Sequence, residues 1–350
     1  MSGNHNFSSE SRRSTPWDNI ADRTPTQEFL FKAYNDAYKL KHPDLSLTGE
    51  DKLINSFVPK ACPYEGCGSE QIIKFGLTDN GIERYKCNAC GRHFTPVTGT
   101  IFDNHKISVT EWVDYLLNLF RYVSLTAGSW DNKNAFTTSR YWLEKVFLLL
   151  RDYYSSTAVL SGHVYLDETY YSVRKGDKTL KSNGTEPKGL SINQICIGVA
   201  CTSSTIVCAI EGRAKPSKRK VWNAFGHVIA PGSKLTHDGE NAHKILLERL
   251  NLKDDPHKFS ETKGLEDAKN PLRRVNRVHA QLKKFLYAHS SFNREYLQGY
   301  LDLFSFIMNP PKSPLEKIDL LLNLAFEQRQ TLRYRDVFSK PRDDEDEVPF

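Results

Sequence analysis

Four cysteines in the first third of the chain constrain its folding more than any other feature. Cys62 and Cys67 lie in CPYEGCGS, and Cys87 and Cys90 lie in RYKCNACGRHF. Each pair sits on a tight turn next to Gly or Pro, and a segment of hairpin length joins the two pairs. Two thiolate pairs brought together by a β-hairpin form a tetrahedral sulfur cage suited to structural zinc. A hairpin this small has little core, so we expect the metal to hold it folded.

Other interpretations of this segment remain open. Rubredoxin-like iron uses the same four sulfurs, although such sites usually have two CxxC turns and the first pair here is CxxxxC. Four unrelated buried cysteines are the alternative without a metal. The hairpin also carries basic side chains, which indicate either contact with nucleic acid or a solvated face: Lys74, Arg84, Lys86 and Arg92.

Length and charge narrow the class of protein. A chain of 350 residues allows two or three domains, one of them with a full core. The net charge is +6 despite an acidic run at 343–347, so the rest of the chain is basic and favours a polyanionic partner. No apolar run reaches the length of a membrane span, and the N-terminal residues show no apolar signal segment, which predicts a cytoplasmic protein.

Composition and periodicity predict six segments. They are a polar, disordered stretch (1–23), a helical segment that starts with Thr24 and Gln27 as a capping box (24–58), the zinc ribbon (59–100), a helical region (101–160), an α/β core (161–310), and a C-terminal helix with an acidic tail (311–350). The two helices expected in 101–160 are joined by a polar, Gly-containing stretch. They could form a helix-turn-helix that presents Ser139, Arg140 and Tyr141 to a DNA groove, or a plain helical linker.

The α/β core shows a recognisable element order. HVYLDETYYSV, NQICIGVACT and STIVCAIEGR predict three successive strands; a helix, the short strand SKLTHDGE and a second helix follow. The order βββαβα with helices after it predicts a ribonuclease H-like domain, in which helices cover both faces of a mixed sheet.

Two aspartates in this core are candidates for metal chemistry. Asp167 lies at the centre of the first predicted strand, where an unpaired carboxylate is costly. Asp238 lies 71 residues later, at the end of the short strand, and that separation brings two strand positions side by side. Two such carboxylates form an oxygen site for Mg²⁺ or Mn²⁺. The alternative for Asp238 is a simple turn residue in Asp-Gly.

A basic helix follows, 38 residues beyond Asp238. Asn276, His279 and Lys283 recur there at helical spacing and so project from one face. Asn offers an oxygen ligand, His a donor or a general acid–base, and Lys a positive charge for a phosphate. The same helix carries further cations that we expect to contact a nucleic-acid backbone: Arg273, Arg274, Arg277 and Lys284.

At this point the chain resembles a known family. The ribbon pattern, the Thr98–Phe102 stretch (TGTIF), the DETY of the first strand and the Asn…His…Lys helix resemble insertion-sequence DDE transposases of the ISXO2-like group, over roughly residues 58–310. The resemblance implies Asp167, Asp238 and Asn276 as the catalytic triad in a variant with asparagine as the third member, and Lys283 as the associated basic residue. His279 stands where many relatives have an aromatic residue, and Glu168 and Glu240 are nearby acids that could compensate for the missing charge.

The resemblance implies a DNA transposase that cuts phosphodiesters at element ends and joins 3′-hydroxyls to target DNA with two divalent ions. Its partners would be double-stranded DNA and further copies of itself in a synaptic complex. Sequence would be read by the ribbon or by the helix around Ser139–Trp142. A second basic stretch would grip the DNA backbone: Arg213, Lys215, Lys218, Arg219 and Lys220. The alternatives are a ribonuclease H-like nuclease or resolvase, and a DNA-binding regulator derived from a transposase.

Overall fold

The computed structural model describes residues 24–30, 32, 49–103, 108–151, 153–154, 159–289 and 292–338. The expectations for residues 1–23 and for the acidic run at 343–347 lie outside these ranges. The chain divides into two compact units, Met1–Lys145 with Pro314–Pro341 and Val146–Ser313 with Arg342–Phe350. Within the described ranges, no helix combines the length and the apolar character needed to cross a membrane.

The strands are β1 (Ile72–Leu77), β2 (Glu83–Cys87), β3 (His93–Phe94), β4 (His163–Ser172), β5 (Gln194–Cys201), β6 (Ile206–Arg213), β7 (Lys234–His237) and β8 (Lys253–Pro256). The helices are α1 (Glu50–Ser56), α2 (Val109–Phe120), α3 (Leu125–Asp131), α4 (Phe136–Arg151), α5 (Lys218–Phe225), α6 (Lys244–Leu250), α7 (Phe259–Thr262), α8 (Arg273–Ala288), α9 (Leu297–Met308), α10 (Pro314–Glu327) and α11 (Tyr334–Phe338).

The first unit contains a small antiparallel sheet built on the cysteine-rich segment, with strand order β1-β2-β3. Its buried residues are few: Cys62, Tyr85, Cys87 and Phe94. So little apolar burial is a weak basis for an independent fold, in agreement with the expectation that something besides the core stabilises the hairpin.

Helices make up the rest of the first unit. The Ser108 hydroxyl accepts the Glu111 N–H and begins α2, which buries Trp112, Leu116 and Leu119 along one face. The later helix α10 packs against α2. The Phe326 ring of α10 stacks on Phe57 with centroids 4.0 Å apart. The predicted 311–350 segment therefore does not stand apart, because its helix completes this core.

The connection between the two predicted helices differs from expectation. The polar stretch contains a helix of its own, α3, which begins where the Ser124 hydroxyl accepts the Ala127 N–H. The Ser cap outweighs the helix-breaking tendency of Gly128, which lies within α3. Near the start of the chain, Thr24 and Gln27 exchange side-chain hydrogen bonds as a capping box, and residues 25–30 are helical.

The second unit is a five-stranded sheet with order β6-β5-β4-β7-β8. β4, β5 and β6 are antiparallel neighbours, whereas β4 pairs in parallel with β7, and β7 pairs in parallel with β8. Helices cover both faces: α5 and α6 share one core with the sheet, and α8 and α9 contact β4, β5 and β6. This is the ribonuclease H-like α/β arrangement that the element order predicts.

The fifth strand, β8, was not expected from the sequence. Lys-Asp-Asp-Pro has no apolar residue and ends in proline, so nothing in it indicates a strand. The structure shows why it pairs. Asp255 accepts a hydrogen bond from the Thr236 hydroxyl at 2.6 Å and an ion pair from Lys234 at 2.9 Å, and both partners lie on β7. Polar side chains thus hold this edge strand.

Gly198 on β5 predicts a measurable stability effect. A Cβ at this position would lie 2.3 Å from Glu211 Oε1 and 2.5 Å from the ring of Phe225, which is fully buried. We expect Gly198→Ala to lower the free energy of unfolding by about 1–3 kcal/mol, the usual cost of overpacking. Urea denaturation followed by circular dichroism measures it. Gly128→Ala is the control, since its Cβ would meet only Val123, at 4.0 Å. A Gly198→Ala protein as stable as the wild type would contradict the packing described.

Candidate active site and metal centres

The parallel pairing of β4 with β7 brings the two predicted aspartates together. Leu166 lies opposite His237 in this ladder, so the next residues, Asp167 and Asp238, follow side by side. Glu168 joins them, and carboxylate oxygens of the three residues all lie within 4.8 Å of one another. The Asp238 carboxylate is held by the backbone N–H of Glu240, 2.9 Å from Oδ1. Glu240 therefore contributes its main chain to this site.

The acidic cluster is electrostatically unfavourable without a cation. Burial, followed by the charges of Asp238 and Glu168, raises the pKa of Asp167 to about 7. A divalent ion among the three carboxylates would offset this repulsion, and carboxylate oxygens are the ligands that Mg²⁺ and Mn²⁺ prefer. The donor chemistry of Asp167, Glu168 and Asp238 thus fits such an ion.

A chain of buried hydrogen bonds supports the cluster from one side. His243 Nε2 lies 2.6 Å from Glu168 Oε1, and the Nδ1 atoms of His243 and His237 lie 2.9 Å apart. His237 Nε2 in turn lies 2.9 Å from Asp254 Oδ1, and Asp254 is the solvent-exposed end of this series of hydrogen bonds. The Gly239 N–H also points at His237 Nδ1, which is therefore an acceptor. His243 must then donate from both nitrogens, as an imidazolium does.

The charge states agree with that assignment. Burial disfavours a charged His243, but the hydrogen bond to Glu168 and the charges of the nearby acids together outweigh it, and the pKa of His243 is raised. Burial lowers the pKa of His237 and keeps it neutral. Sequence reasoning named Glu168 but missed both histidines. The available signal was HDGENAH, which places a His on each side of Asp238.

Helix α8, which carries the predicted residues Asn276, His279 and Lys283, lies next to the acidic cluster. His279 is buried, and its Nδ1 lies 3.8 Å from Asp167 Oδ2. Burial lowers the pKa of His279 to about 4, with a further contribution from the charge of Lys283, so this imidazole is neutral near Asp167. Asn276 lies about one turn before His279 and Lys283 about one turn after it, and both side chains are exposed. The structure brings His279 to Asp167 and leaves Asn276 and Lys283 at the adjoining surface.

Some of the cations predicted to contact DNA are bonded to other groups of the protein, and others are exposed. On α8, Arg274 donates to the carbonyls of Thr202 and Ser203, and Arg277 pairs with Asp267 at 2.8 Å. Together with Arg273 they line a pocket next to Ser203 and Ser204. Lys284 is exposed, as are four cations of the second stretch: Arg213, Lys215, Lys218 and Arg219. Lys220 is different, because its Nζ donates to the Arg213 carbonyl at 2.7 Å.

The four cysteine sulfurs of the first unit have the spacing of a metal centre. Cys62 Sγ lies 3.7 Å from Cys90 Sγ, and Cys67 Sγ lies 3.6 Å from Cys87 Sγ. Tetrahedral zinc with Zn–S bonds of about 2.3 Å requires sulfurs about 3.8 Å apart. All four cysteines are free thiols. The backbone N–H of Arg92 lowers the pKa of Cys90 to about 6, which favours its thiolate, whereas burial raises the pKa of Cys62 to about 12. These residues fit zinc.

The groove-reading helix predicted around Ser139 is contradicted in part. Ser139 is fully buried in α4, and Trp142 is 1% exposed, so neither can reach a DNA groove. The Tyr141 hydroxyl donates to the Leu332 carbonyl, and the Arg140 guanidinium lies 5.5 Å from the Phe338 ring centroid. Ser is small enough for either face of a helix, which is why the pattern misplaced it.

The buried His243–Glu168 pair predicts a graded loss of stability. His243→Ala would leave the Glu168 carboxylate, only 5% exposed, without its partner. We expect the free energy of unfolding to fall by about 3–5 kcal/mol. Asp254→Asn, at the half-exposed outer end of the same chain, should cost under about 1 kcal/mol. Urea denaturation of the two variants measures the difference between their free energies of unfolding. Equal losses would show that the hydrogen bonds from Glu168 to Asp254 do not depend mainly on His243.

Part of the second unit is similar to a known protein family. Residues 159–309 match the family model described as the ISXO2-like transposase domain. No curated protein matches the chain. Among solved structures, the chain shows a likeness to the Mos1 transposase paired-end complex with left transposon end, at 12% identity and a TM-score of 0.20, over 60% of this chain and 78% of that one. The fold described above rests on the strand order and not on this likeness. Residues 159–309, which contain the acidic cluster, are thus similar to the ISXO2-like transposase domain.

Proposed function

We propose that the chain is the DNA transposase of an insertion sequence, which cuts phosphodiesters at the element's ends and joins the freed 3′-hydroxyls to target DNA. The observation that supports it most is the meeting of Asp167 and Glu168, in the middle of β4, with Asp238, directly after the parallel strand β7, within the segment that matches the transposase family. Partly buried carboxylates this close are suited to a divalent cation.

The chain's own residues would divide the chemistry among them. Asp167 and Asp238 would hold the divalent ions, Mg²⁺ or Mn²⁺, with Asn276 offering a neutral oxygen as a further ligand. When bound, such ions activate the attacking oxygen and stabilise the leaving oxygen of an in-line displacement. Lys283 would offset phosphate charge at the exposed surface of α8. Neutral His279, next to Asp167, would fill the site without adding positive charge to it.

The basic surfaces of the second unit support DNA as the partner. Arg273, Arg274 and Arg277 line one pocket, and the exposed cations between 213 and 219 form a second patch. Such groups bind phosphates and position a duplex without reading its sequence. Self-association of transposase copies in a synaptic complex, and action on DNA in the cytoplasm, belong to the same proposal.

A nuclease or resolvase would use the same carboxylates for hydrolysis alone. A transposase-derived regulator would bind DNA without cutting it. The products of the reaction separate the three: joined strands, cut strands, or neither. The retention of the acidic cluster within well-formed strands favours an active enzyme over the regulator.

The catalytic proposal is tested by substitution of the acids. We expect Asp167→Ala and Asp238→Ala to reduce cleavage and strand transfer at least about 100-fold, since even outer partners of a metal are worth that much. Asn276→Asp should retain more activity than Asn276→Ala because it keeps an oxygen ligand. The assay follows a labelled duplex that carries the inverted repeats flanking the gene.

Asp177→Ala is the matched control for these variants, because Asp177 is exposed in the loop after β4. DNA binding, measured by fluorescence anisotropy, should stay near the wild-type value in all of the aspartate variants. Normal strand transfer by Asp238→Ala would end the proposed mechanism, and cleavage without joining by the wild type would favour the nuclease.

We further propose that Cys62, Cys67, Cys87 and Cys90 bind one structural zinc and make the 59–100 segment a zinc ribbon. Purified protein should contain about one zinc per chain, and Cys87→Ser should remove it and expose the hairpin to protease. Cys208→Ala, a buried thiol of the second unit, should keep the zinc. A protein without zinc whose hairpin resists proteolysis would contradict this assignment.

A further inference from the structure

One face of the ribbon sheet has no partner among the described residues. The register places Ile73 opposite Lys86 and Lys86 opposite His93, and side chains alternate along each strand. Ile73, Phe75, Arg84, Lys86 and His93 therefore share this face, which we call the ribbon face. The opposite face carries Tyr85 and Cys87 and packs on the cysteine cluster. Ile73 and Phe75 are each 46% exposed.

The ribbon face combines an apolar centre with positive charge. The Lys86 Nζ and the Arg84 guanidinium lie 5.7 and 6.0 Å from the centroid of the Phe75 ring, and the His93 ring lies 4.4 Å from it. None of the five side chains is acidic. An apolar protein surface would bury these cations without compensation, whereas nucleic acid offers anionic phosphates together with apolar base edges. The composition of the face therefore matches DNA.

Its dimensions match one groove of DNA. Strands lie about 4.8 Å apart, and a two-stranded ribbon enters the major groove, about 12 Å wide, but not the minor groove, about 6 Å wide. β1 and β2 form such a ribbon, because β3 has only two residues. Alternate residues of a strand are about 6.7 Å apart, close to two base steps of about 3.4 Å. Ile73 and Phe75 can thus meet bases two steps apart.

We propose that the ribbon face reads duplex DNA in the major groove, with Ile73 and Phe75 against thymine methyl groups and Arg84 and Lys86 at guanine edges or phosphates. Aliphatic Ile73 beside a single phenylalanine fits methyl contacts better than a stacking platform for unpaired bases, which uses successive aromatic rings. This inference rests on the proposed function for its partner, DNA, and adds where and how sequence is read. It also agrees with the burial of Ser139 and Trp142, because those two residues belong to the helix that was the alternative for reading the DNA sequence.

The experiment measures binding of the full chain to three duplexes by fluorescence anisotropy. They are the duplex flanking the gene, the same duplex with deoxyuridine for every thymidine, and a random duplex. Loss of the C5-methyl groups should weaken wild-type binding about tenfold, a value typical of one good base contact. Phe75→Ala should bind the thymine duplex about tenfold more weakly and no longer distinguish it from the uracil duplex.

Matched variants separate this effect from others. Phe259→Ala removes a phenylalanine that is 73% exposed on α7 and should leave all three affinities unchanged. Arg84→Gln should flatten the salt dependence instead. Unchanged zinc content in Phe75→Ala shows that the ribbon is folded.

Three results would overturn the proposal. The first is a Phe75→Ala protein that still distinguishes thymine from uracil, or a wild type that never does. The second is tighter wild-type binding to single strands than to the duplex, which would indicate stacking. The third is a Phe75→Ala protein that binds the thymine duplex as tightly as the wild type does, which would remove Phe75 from the interface. None of these touches the catalytic proposal, which is judged by strand cleavage in the Asp167 and Asp238 variants.

Discussion

The second unit is organised around the electrostatic cost of placing carboxylates together inside a sheet. Parallel pairing of β4 and β7 makes Asp167 and Asp238 neighbours, and Glu168 adds a third charge beside them. Burial and mutual repulsion together raise the pKa of Asp167 to about 7. Such a cluster is tolerated only where surrounding groups and a bound cation compensate for it.

Much of the neighbouring structure serves as that compensation. His243, whose pKa is raised, lies 2.6 Å from Glu168, and the backbone N–H of Glu240 holds Asp238. Glu211 on β6 lies close enough for the Glu168 charge to add to burial in raising its pKa to about 8, which favours its neutral form. Gly198 leaves room for this side chain and for Phe225. Polar groups thus surround the acidic cluster where its charge must be balanced. Around Gly198 the packing is tight.

The sequence predicted the fold and the main acids because their signals are local. Strand patterns followed by a helix and a short strand determine which strands become neighbours, and right-handed crossovers leave few alternatives, so Asp167 and Asp238 could be paired. The cysteine spacing likewise predicted the sulfur cluster. The missed features depend on contacts between distant residues. β8 is held by polar pairs with β7, and the charge of His243 depends on Glu168, 75 residues earlier. Ser139 was misplaced because a small hydroxyl residue is compatible with either face of a helix.

β7 is only four residues long, yet it is hydrogen-bonded on both sides, to β4 and to β8. Successive side chains of a strand point to opposite faces, so its pairing register decides which face Asp238 joins. A slip by one residue would carry Asp238 away from Asp167 and put His237 in its place, with every element of the fold still present. The register of β7 therefore determines whether the two aspartates meet. An insertion within β7 would separate Asp238 from Asp167, whereas the loop after β4 can change length without moving either aspartate.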